Sequence, residues 1–118
     1  MTVEADLFTT LGPLVGGRAY PDVAPAGVAR PYIVYQEISG QAPTFLERAV
    51  PSKKNGRFQI TVWDDTRAQA SALSLQIEEA MVLSTLFDAK PLGGRTADYD
   101  EETELRGARH DFTVWSER

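Results

Sequence analysis

Two seven-residue stretches with matching side chains most restrict how this chain folds. They run from Arg57 to Trp63 and from Arg109 to Trp115, and they share Arg, Thr, Val and Trp at equivalent positions. Alternation of apolar and polar residues is typical of strands with one face against a core. We therefore predict that the two strands lie side by side against the helix encoded between them. The residues predicted to face that helix are Ile60, Val62, Phe112 and Val114.

The two matched tryptophans have two explanations. Trp63 and Trp115 close the two stretches, and similar strands solving one packing problem explain the match. Alternatively, the two indole rings form a single aromatic patch on the face away from the helix, of the kind that is enriched at subunit interfaces.

A long helix is predicted to follow the first strand. Thr66 and Gln69 have the spacing of a capping box, so the helix starts at Arg67, and its apolar periodicity extends to about Phe87. The predicted core stripe contains Ala70, Leu73, Ile77, Ala80, Met81 and Ser84.

The chain before these elements is predicted to hold a shorter helix and two extended pieces. Thr2 is able to cap a helix that reaches Leu11, where Gly12-Pro13 stops it. A short extended piece is expected at Arg18–Tyr20, and β-branched and aromatic residues predict a strand over Tyr32–Ile38. The fold class is α+β: a small, mostly antiparallel sheet with a short N-terminal helix and one long helix packed on one face. Residues 1–118 are predicted to form a single domain.

Two regions are harder to assign. Residues 39–56 are interpreted as a candidate mobile arm, with a strand at Thr44–Val50 and a polar turn at Pro51–Gly56, since Asn-Gly is a strong turn signal. Lys90–Gly94 is predicted to interrupt regular structure. The acidic stretch Asp98–Glu104 is predicted to form the turn of a hairpin between Arg95–Tyr99 and Leu105–Trp115.

Composition excludes several classes of function. Twelve basic against seventeen acidic residues leave a formal charge of −5, which argues against general nucleic-acid binding, because such binding depends on neutralising phosphates. The absence of cysteine excludes a disulfide scaffold, a thiol nucleophile and a thiolate metal site. Glu4 and Asp6 lie where a signal peptide needs positive charge, and no apolar run approaches the length of a membrane span, so neither export by that route nor membrane insertion is expected.

Catalytic motifs are missing from the sequence. His110 and Asp111 are adjacent in a strand and therefore point to opposite faces, which prevents the carboxylate from orienting the imidazole. Asp98, Asp100 and Glu102 alternate as metal ligands on an extended segment would, but a solvated hairpin tip explains them better. No catalytic residue, metal or cofactor is predicted. The remaining enzyme alternative is a small metal-dependent enzyme that uses Asp98, Asp100 and Asp111.

The order of short motifs along the chain resembles a known family. The motifs, in chain order, are an amphipathic N-terminal helix, Val15–Pro25, Arg30–Gln36, Arg57–Trp63, the long helix, Asp98–Asp100 and Phe112–Trp115. In this order and spacing the chain resembles, from Val3 to Trp115, the tail-completion (tail-terminator, or tail-to-head joining) proteins of long-tailed bacteriophages and prophages.

The resemblance implies a structural protein of the virion. Such proteins are thought to form a ring, commonly a hexamer, that stops tube growth and joins the tail to the DNA-filled head. The implied partners are copies of the chain itself, the tail-tube protein and a head–tail connector, with no sequence-specific nucleic acid and no membrane. The implied location is the tail–head junction, after synthesis in the host cytoplasm. A head–tail connector or stopper ring protein is the alternative.

Charge segregation predicts where the subunits of such a ring meet. A ring needs two different surfaces on each subunit, and basic and acidic side chains cluster in separate parts of the sequence. Phe45 and Leu46 are predicted apolar anchors, with the alternative that they cover a sheet edge within one subunit. A second use of the acidic stretch is to line the channel and repel DNA phosphates. The charged candidates are Lys53, Lys54 and Arg57 on the basic side and Asp98, Asp100, Glu101, Glu102 and Glu104 on the acidic side.

Overall fold

Two helices and five strands make up the computed structural model, which describes residues 2–39 and 53–117. The elements in chain order are α1 (Val3–Leu11), a short 3-10 helix (Gly12–Val15), β1 (Ala19–Pro21), β2 (Tyr32–Ser39), β3 (Lys53–Asp64), α2 (Arg67–Leu83), β4 (Asp88–Asp100) and β5 (Leu105–Glu117).

The five strands form one sheet in the order β1-β2-β3-β5-β4. β1 runs parallel to β2, and the other neighbouring pairs are antiparallel. The predicted α+β class with a mostly antiparallel sheet is confirmed. The predicted pairing of the two matched stretches is confirmed too, because Phe58 lies opposite Phe112 and Ile60 opposite His110.

One face of the sheet is covered and the other is open. Ile60, Val62, Phe112 and Val114 are each at most 1% exposed, as expected for residues that face α2. α1 adds Leu7 and Leu11 to the same core. Burying a side chain of this size contributes roughly 1.5–3 kcal/mol, so the covered face is the main source of stability.

Both helices begin where the sequence predicts. The Thr2 hydroxyl accepts a hydrogen bond from the Ala5 amide at 3.1 Å, and the Thr66 hydroxyl accepts one from Gln69 at 3.2 Å. Each bond satisfies an amide that a helix start leaves unpaired.

The end predicted for the long helix is wrong by four residues. α2 ends at Leu83, and Ser84 has an extended backbone. The Ser84 hydroxyl accepts a hydrogen bond from the Leu86 amide at 3.2 Å and lies 3.3 Å from the Thr10 hydroxyl on α1. A serine that bonds a nearby backbone amide competes with helix continuation, which is why the apolar periodicity overestimated the length of the helix.

The polar turn predicted before β3 is wrong where the structure describes it. Lys53 to Gly56 belong to β3, with Asn55 opposite Trp115 and Gly56 opposite Val114. A Cβ atom on Gly56 would lie 2.8 Å from the Phe58 ring and collide with the Glu37 carboxylate. This glycine therefore serves close packing rather than a turn. Thr44–Val50, Pro51 and Ser52, and with them most of the candidate mobile arm, lie outside the described residues.

The interruption predicted at Lys90–Gly94 is wrong for Lys90 to Leu92, which are paired within β4, and holds only as a local irregularity at Gly93 and Gly94. Lys90, Pro91 and Leu92 pair with β5, and the register shifts only between Leu92 and Thr96. β4 is an edge strand, the place in a sheet where proline is tolerated, because one side of such a strand has no neighbouring strand to bond. The predicted hairpin is confirmed, because the chain reverses between Asp100 and Leu105.

Candidate assembly surfaces

The acidic stretch forms an ordered turn at one end of the sheet. The Asp100 carboxylate accepts a hydrogen bond from the Glu102 amide at 3.0 Å, and the Asp100 carbonyl accepts one from the Glu104 amide at 2.7 Å. Glu101, Glu102 and Glu104 are exposed. Asp98 differs from them, because it lies on the open face with its carboxylate 3.8 Å from Arg109 Nε.

The lysines of the basic cluster lie at the other end of the sheet. Lys53 pairs with Glu117 at the end of β5, whereas the acidic turn precedes Leu105 at its start. β5 has 13 residues, so its two ends are about 40 Å apart. The charges that the sequence shows as two clusters therefore occupy opposite ends of the subunit.

Two of the three basic candidate interface residues have partners within the chain. Arg57 donates to Asp111 through Nη2 at 2.7 Å and Nε at 3.2 Å, a geometry that orders both side chains. Lys53 Nζ lies 3.8 Å from Asp88, with both side chains more than half exposed. Such an exposed and long ion pair contributes little to stability, so Lys53 is free to exchange partners. Phe45 and Leu46 lie outside the described residues.

Apolar and charged side chains together line two adjoining depressions at the lysine end. One, of about 380 Å³, is lined by Val82, Ala89, Lys90 and Trp115 among others. The second, of about 190 Å³, shares Trp115 and also contacts Leu86 and Lys53.

Nearby apolar side chains add to this exposed area. Val82 is 49% exposed, Leu83 76% and Leu86 43%. Contiguous exposed apolar surface of this kind is typical of an interaction site.

The open face of the sheet carries paired charges. Arg57 with Asp111 and Arg109 with Asp98 form ion pairs across neighbouring strands. A polar depression of about 340 Å³ lies between them, and both of its charged side chains, Arg109 and Asp111, belong to these pairs. This face is therefore close to neutral and internally satisfied.

The two tryptophans do not form one patch. Trp63 lies opposite Gly107, and a Cβ atom there would be 2.8 Å from the indole ring. Trp115 lies opposite Asn55, eight positions further along β3, which is a separation of roughly 26 Å. The hypothesis of a joint aromatic patch is wrong, because antiparallel pairing places equivalent positions at opposite ends.

A tyrosine beside Trp63 is held in its neutral form. Burial raises the pKa of the Tyr32 phenol above its usual value, the Asp100 carboxylate raises this pKa further, and Arg30 lowers it. The Tyr32 side chain therefore adds no charge to the open face near neutral pH.

The geometry gives no support to catalysis by His110. Its ring is 3% exposed on the covered face, with Nε2 3.0 Å from the Gly93 carbonyl and Nδ1 3.6 Å from Glu78. Asp111 lies on the opposite face, bonded to Arg57. A general base needs access to a substrate proton, and this imidazole is enclosed.

The described residues offer no cluster of ligands to the metal-dependent enzyme alternative. Within residues 2–39 and 53–117, no group of three or more His, Asp or Glu side chains is placed to hold a metal ion. Asp98 and Asp111 face Arg109 and Arg57 instead. Among the same residues, no helix is long and apolar enough to cross a membrane.

Sequence reasoning missed the apolar part of the lysine end. Val82 was expected inside a longer helix, and Leu86 was expected in its last turn. Trp115 was interpreted either as part of a repeated strand or as half of a patch with Trp63, and its position beside Val82 and Leu86 was not predicted. The signal that was available is the Ser84-Thr85 pair, since hydroxyl side chains favour helix ends and an earlier end exposes this surface.

Comparison with known proteins gives two matches. The family model described as "Tail completion protein gp17" matches residues 7–117. A solved structure titled "Virion of native gene transfer agent (GTA) particle" contains a chain of similar fold, with a TM-score of 0.72 and 22% identity. That alignment covers 98% of this chain and 95% of the other. The comparison with curated protein sequences gives no significant match.

Proposed function

Because the chain belongs to the tail completion protein gp17 family, and is thus a structural protein of the phage tail that acts in the virion, we propose that it is the tail terminator. In this role, copies of the chain form a ring on the end of the tail tube, stop its growth and join it to the head. We propose six copies in the ring, with the tail-tube protein and a head–tail connector as partners and no catalytic role.

The observation that carries this proposal is the placement of unlike surfaces at opposite ends of an elongated subunit. The described part measures 52 × 25 × 25 Å. The acidic turn lies at one end of the sheet, and Lys53 and Lys54 lie at the other. Contacts between two different surfaces propagate from subunit to subunit and close into a ring when the rotation per step allows it.

We assign the interface role to the exposed charges that lack a strong partner within the chain. Glu101, Glu102 and Glu104 face Lys53 and Lys54 of the next subunit, which favours one direction and one partner over others. Asp98, Asp100 and Arg57 hold the two ends in shape through contacts within the chain.

Phe45 and Leu46 are the proposed apolar anchors of this interface. This assignment predicts that the quadruple variant Phe45→Ser, Leu46→Ser, Lys53→Glu, Lys54→Glu loses ring formation. A channel-facing acidic turn is the competing use of the same acids, and it predicts intact particles with altered DNA release after the acids are neutralised.

The similar fold in the gene transfer agent particle supports a place in a virion. That chain comes from a native particle and matches over nearly the full length of both chains. At 22% identity the likeness concerns the fold, so the role at the tail–head junction rests on the family and on the geometry of the two ends.

The test is a tail assembly assay with particles that lack this protein. We expect tails of uncontrolled length and heads without tails, and we expect purified protein to restore uniform, joined particles. Electron microscopy measures tail length, and plaque or transfer assays measure joining. A connector or stopper role predicts tails of normal length that fail to attach. Fully active particles without the protein would overturn both roles.

A further inference from the structure

We propose that the acidic turn of one copy docks into the two adjoining depressions around Trp115 of the next copy. This inference rests on the proposed ring and names the contact that builds it. Tyr99 is the anchor residue on the inserted side. Lys53 and Lys90, which line the depressions, bind the carboxylates of the acidic turn. The occupant is a second copy of this chain.

The receiving side combines apolar side chains with charged ones. Trp115 lines both depressions, Val82 belongs to the larger one and Leu86 to the smaller one. Lys90 lines the larger depression and Lys53 the smaller. Trp115, Val82 and Leu86 form the apolar part of this mixed lining, and tryptophan is one of the residues in which binding energy concentrates at interfaces.

Acidic groups are present on the receiving side as well. Asp88 lines both depressions and lies 3.8 Å from Lys53, and Glu117 lines the smaller one. Lys53 and Lys90 balance Asp88 and Glu117 around the depressions. Lys54, which follows Lys53 on β3, lines neither depression and gives this end of the sheet one net positive charge, whereas the acidic turn carries three exposed glutamates. The two surfaces therefore attract each other at neutral pH.

The inserted side is preorganised. Tyr99 is 51% exposed, and the Arg106 guanidinium lies 4.8 Å from the centre of its ring, which restricts the phenol through a cation–π contact. Asp100 fixes the turn through its bonds to the Glu102 and Glu104 amides. An ordered turn loses little conformational entropy when it binds.

The geometry excludes the same contact within one chain. The acidic turn and the depressions are at opposite ends of β5, about 40 Å apart. A contact between them therefore joins two copies. It leaves the depressions of one copy and the acidic turn of the other available, so the same contact can repeat in one direction. This is the heterologous contact from which closed rings are built.

Disulfide trapping tests the contact directly, since the chain has no cysteine of its own. Glu102→Cys and Leu86→Cys are both exposed substitutions that leave the core intact. Mixing the two single variants under mild oxidation is expected to give a covalent dimer. The double variant is expected to give a ladder of higher oligomers on a non-reducing gel, in purified protein at high concentration or in assembled particles.

The matched control pairs Glu102→Cys with Thr9→Cys, an exposed position on α1. We expect at least a tenfold lower dimer yield from this pair. The proposal is overturned if the control pair links as efficiently, or if the first pair stays monomeric in particles that contain the protein. A protein that is absent from joined particles contradicts the ring itself, so the two failures are distinguishable.

Charge reversal gives an independent readout. Lys53→Glu with Lys90→Glu is expected to lower the trapped dimer at least tenfold, and a partner copy carrying Glu101→Lys with Glu104→Lys is expected to recover most of it. Loss without recovery would mean that the lysines do not face the acidic turn. No effect of the reversal on trapping would also reject the assigned charges.

Discussion

The two faces of the sheet are built from alternate residues of the same strands and have opposite properties. On the covered face, Phe58 and Phe112 are at most 1% exposed and touch the helices. On the open face, Arg57 and Asp111, each next in sequence to one of these phenylalanines, form a partly exposed ion pair. One strand therefore supplies both a hydrophobic core and a hydrated surface, because successive side chains point to opposite sides.

The comparison separates stability from assembly. Apolar burial on the covered face contributes kilocalories per side chain, whereas exposed ion pairs contribute about 1 kcal/mol or less. Residues on the open face and at the two ends can therefore be substituted, and adapted to a binding partner, with little loss of folding free energy. Three kinds of substitution test this separation. The expected loss of unfolding free energy is largest when buried volume is removed, smaller when the open face is crowded and smallest when an ion pair on that face is broken.

The largest effect is expected from Phe112→Ala on the covered face. Phe112 is fully buried and its ring centre lies 4.7 Å from that of His110. Its removal leaves a cavity, so the free energy of unfolding should fall by roughly 3–5 kcal/mol. Urea denaturation followed by circular dichroism measures this loss.

Lys90→Ala is the matched control for that loss. Lys90 is exposed on the edge strand, and its replacement should change the free energy of unfolding by at most about 0.5 kcal/mol. A loss below about 1.5 kcal/mol for Phe112→Ala would mean that the covered face does not dominate stability.

The covered face was largely predictable from sequence. Phe58, Ile60 and Val62 recur at every second position, and Thr66 with Gln69 marks the start of α2. These are local signals whose physical origin lies in strand pleating and in the unpaired amides of a helix start. They identified the paired strands and the helix that covers them.

The edges and ends were less predictable, because their residues act through tertiary contacts. Gly56 looks like a turn residue until Glu37 and Phe58 are seen to occupy the space that a side chain would need. Pro91 looks like a breaker, but it lies on an edge strand. The depressions around Trp115 join residues from α2, β4 and β5, and no window of sequence contains all of them.

An intermediate effect is expected from Gly107→Ala on the open face. The added Cβ atom would lie 2.8 Å from the Trp63 ring, so the indole must move. Crowding of this kind costs roughly 1–3 kcal/mol. Thermal unfolding measures the cost, and tryptophan fluorescence should report a changed environment for Trp63.

Gly94→Ala is the control for crowding on the sheet. No atom lies within 4 Å of the position that a Cβ atom on Gly94 would take, so this change should leave stability nearly unaltered. An equal loss in both variants would show that backbone freedom, rather than contact with Trp63, explains the effect at Gly107.

The smallest effect is expected from the ion pair between Arg57 and Asp111. A double-mutant cycle with Arg57→Ala and Asp111→Ala should give a coupling energy of about 1 kcal/mol, the upper end of the range for exposed pairs, because Arg57 is 46% exposed and Asp111 18%. The coupling should fall further at high salt, which screens exposed charges. Arg109 with Asp98, at 3.8 Å, should couple more weakly than Arg57 with Asp111 at 2.7 Å.

A coupling above about 2 kcal/mol, beyond the range of exposed pairs, would contradict the separation between the two faces. Coupling near the expected value, combined with loss of ring formation in Arg57→Ala, has a different meaning. It would place the open face in contact with a neighbour, since a pair that contributes so little to folding affects assembly only through what it presents to a partner. Measuring unfolding and ring formation on the same variants therefore distinguishes a face that is merely solvated from one that binds.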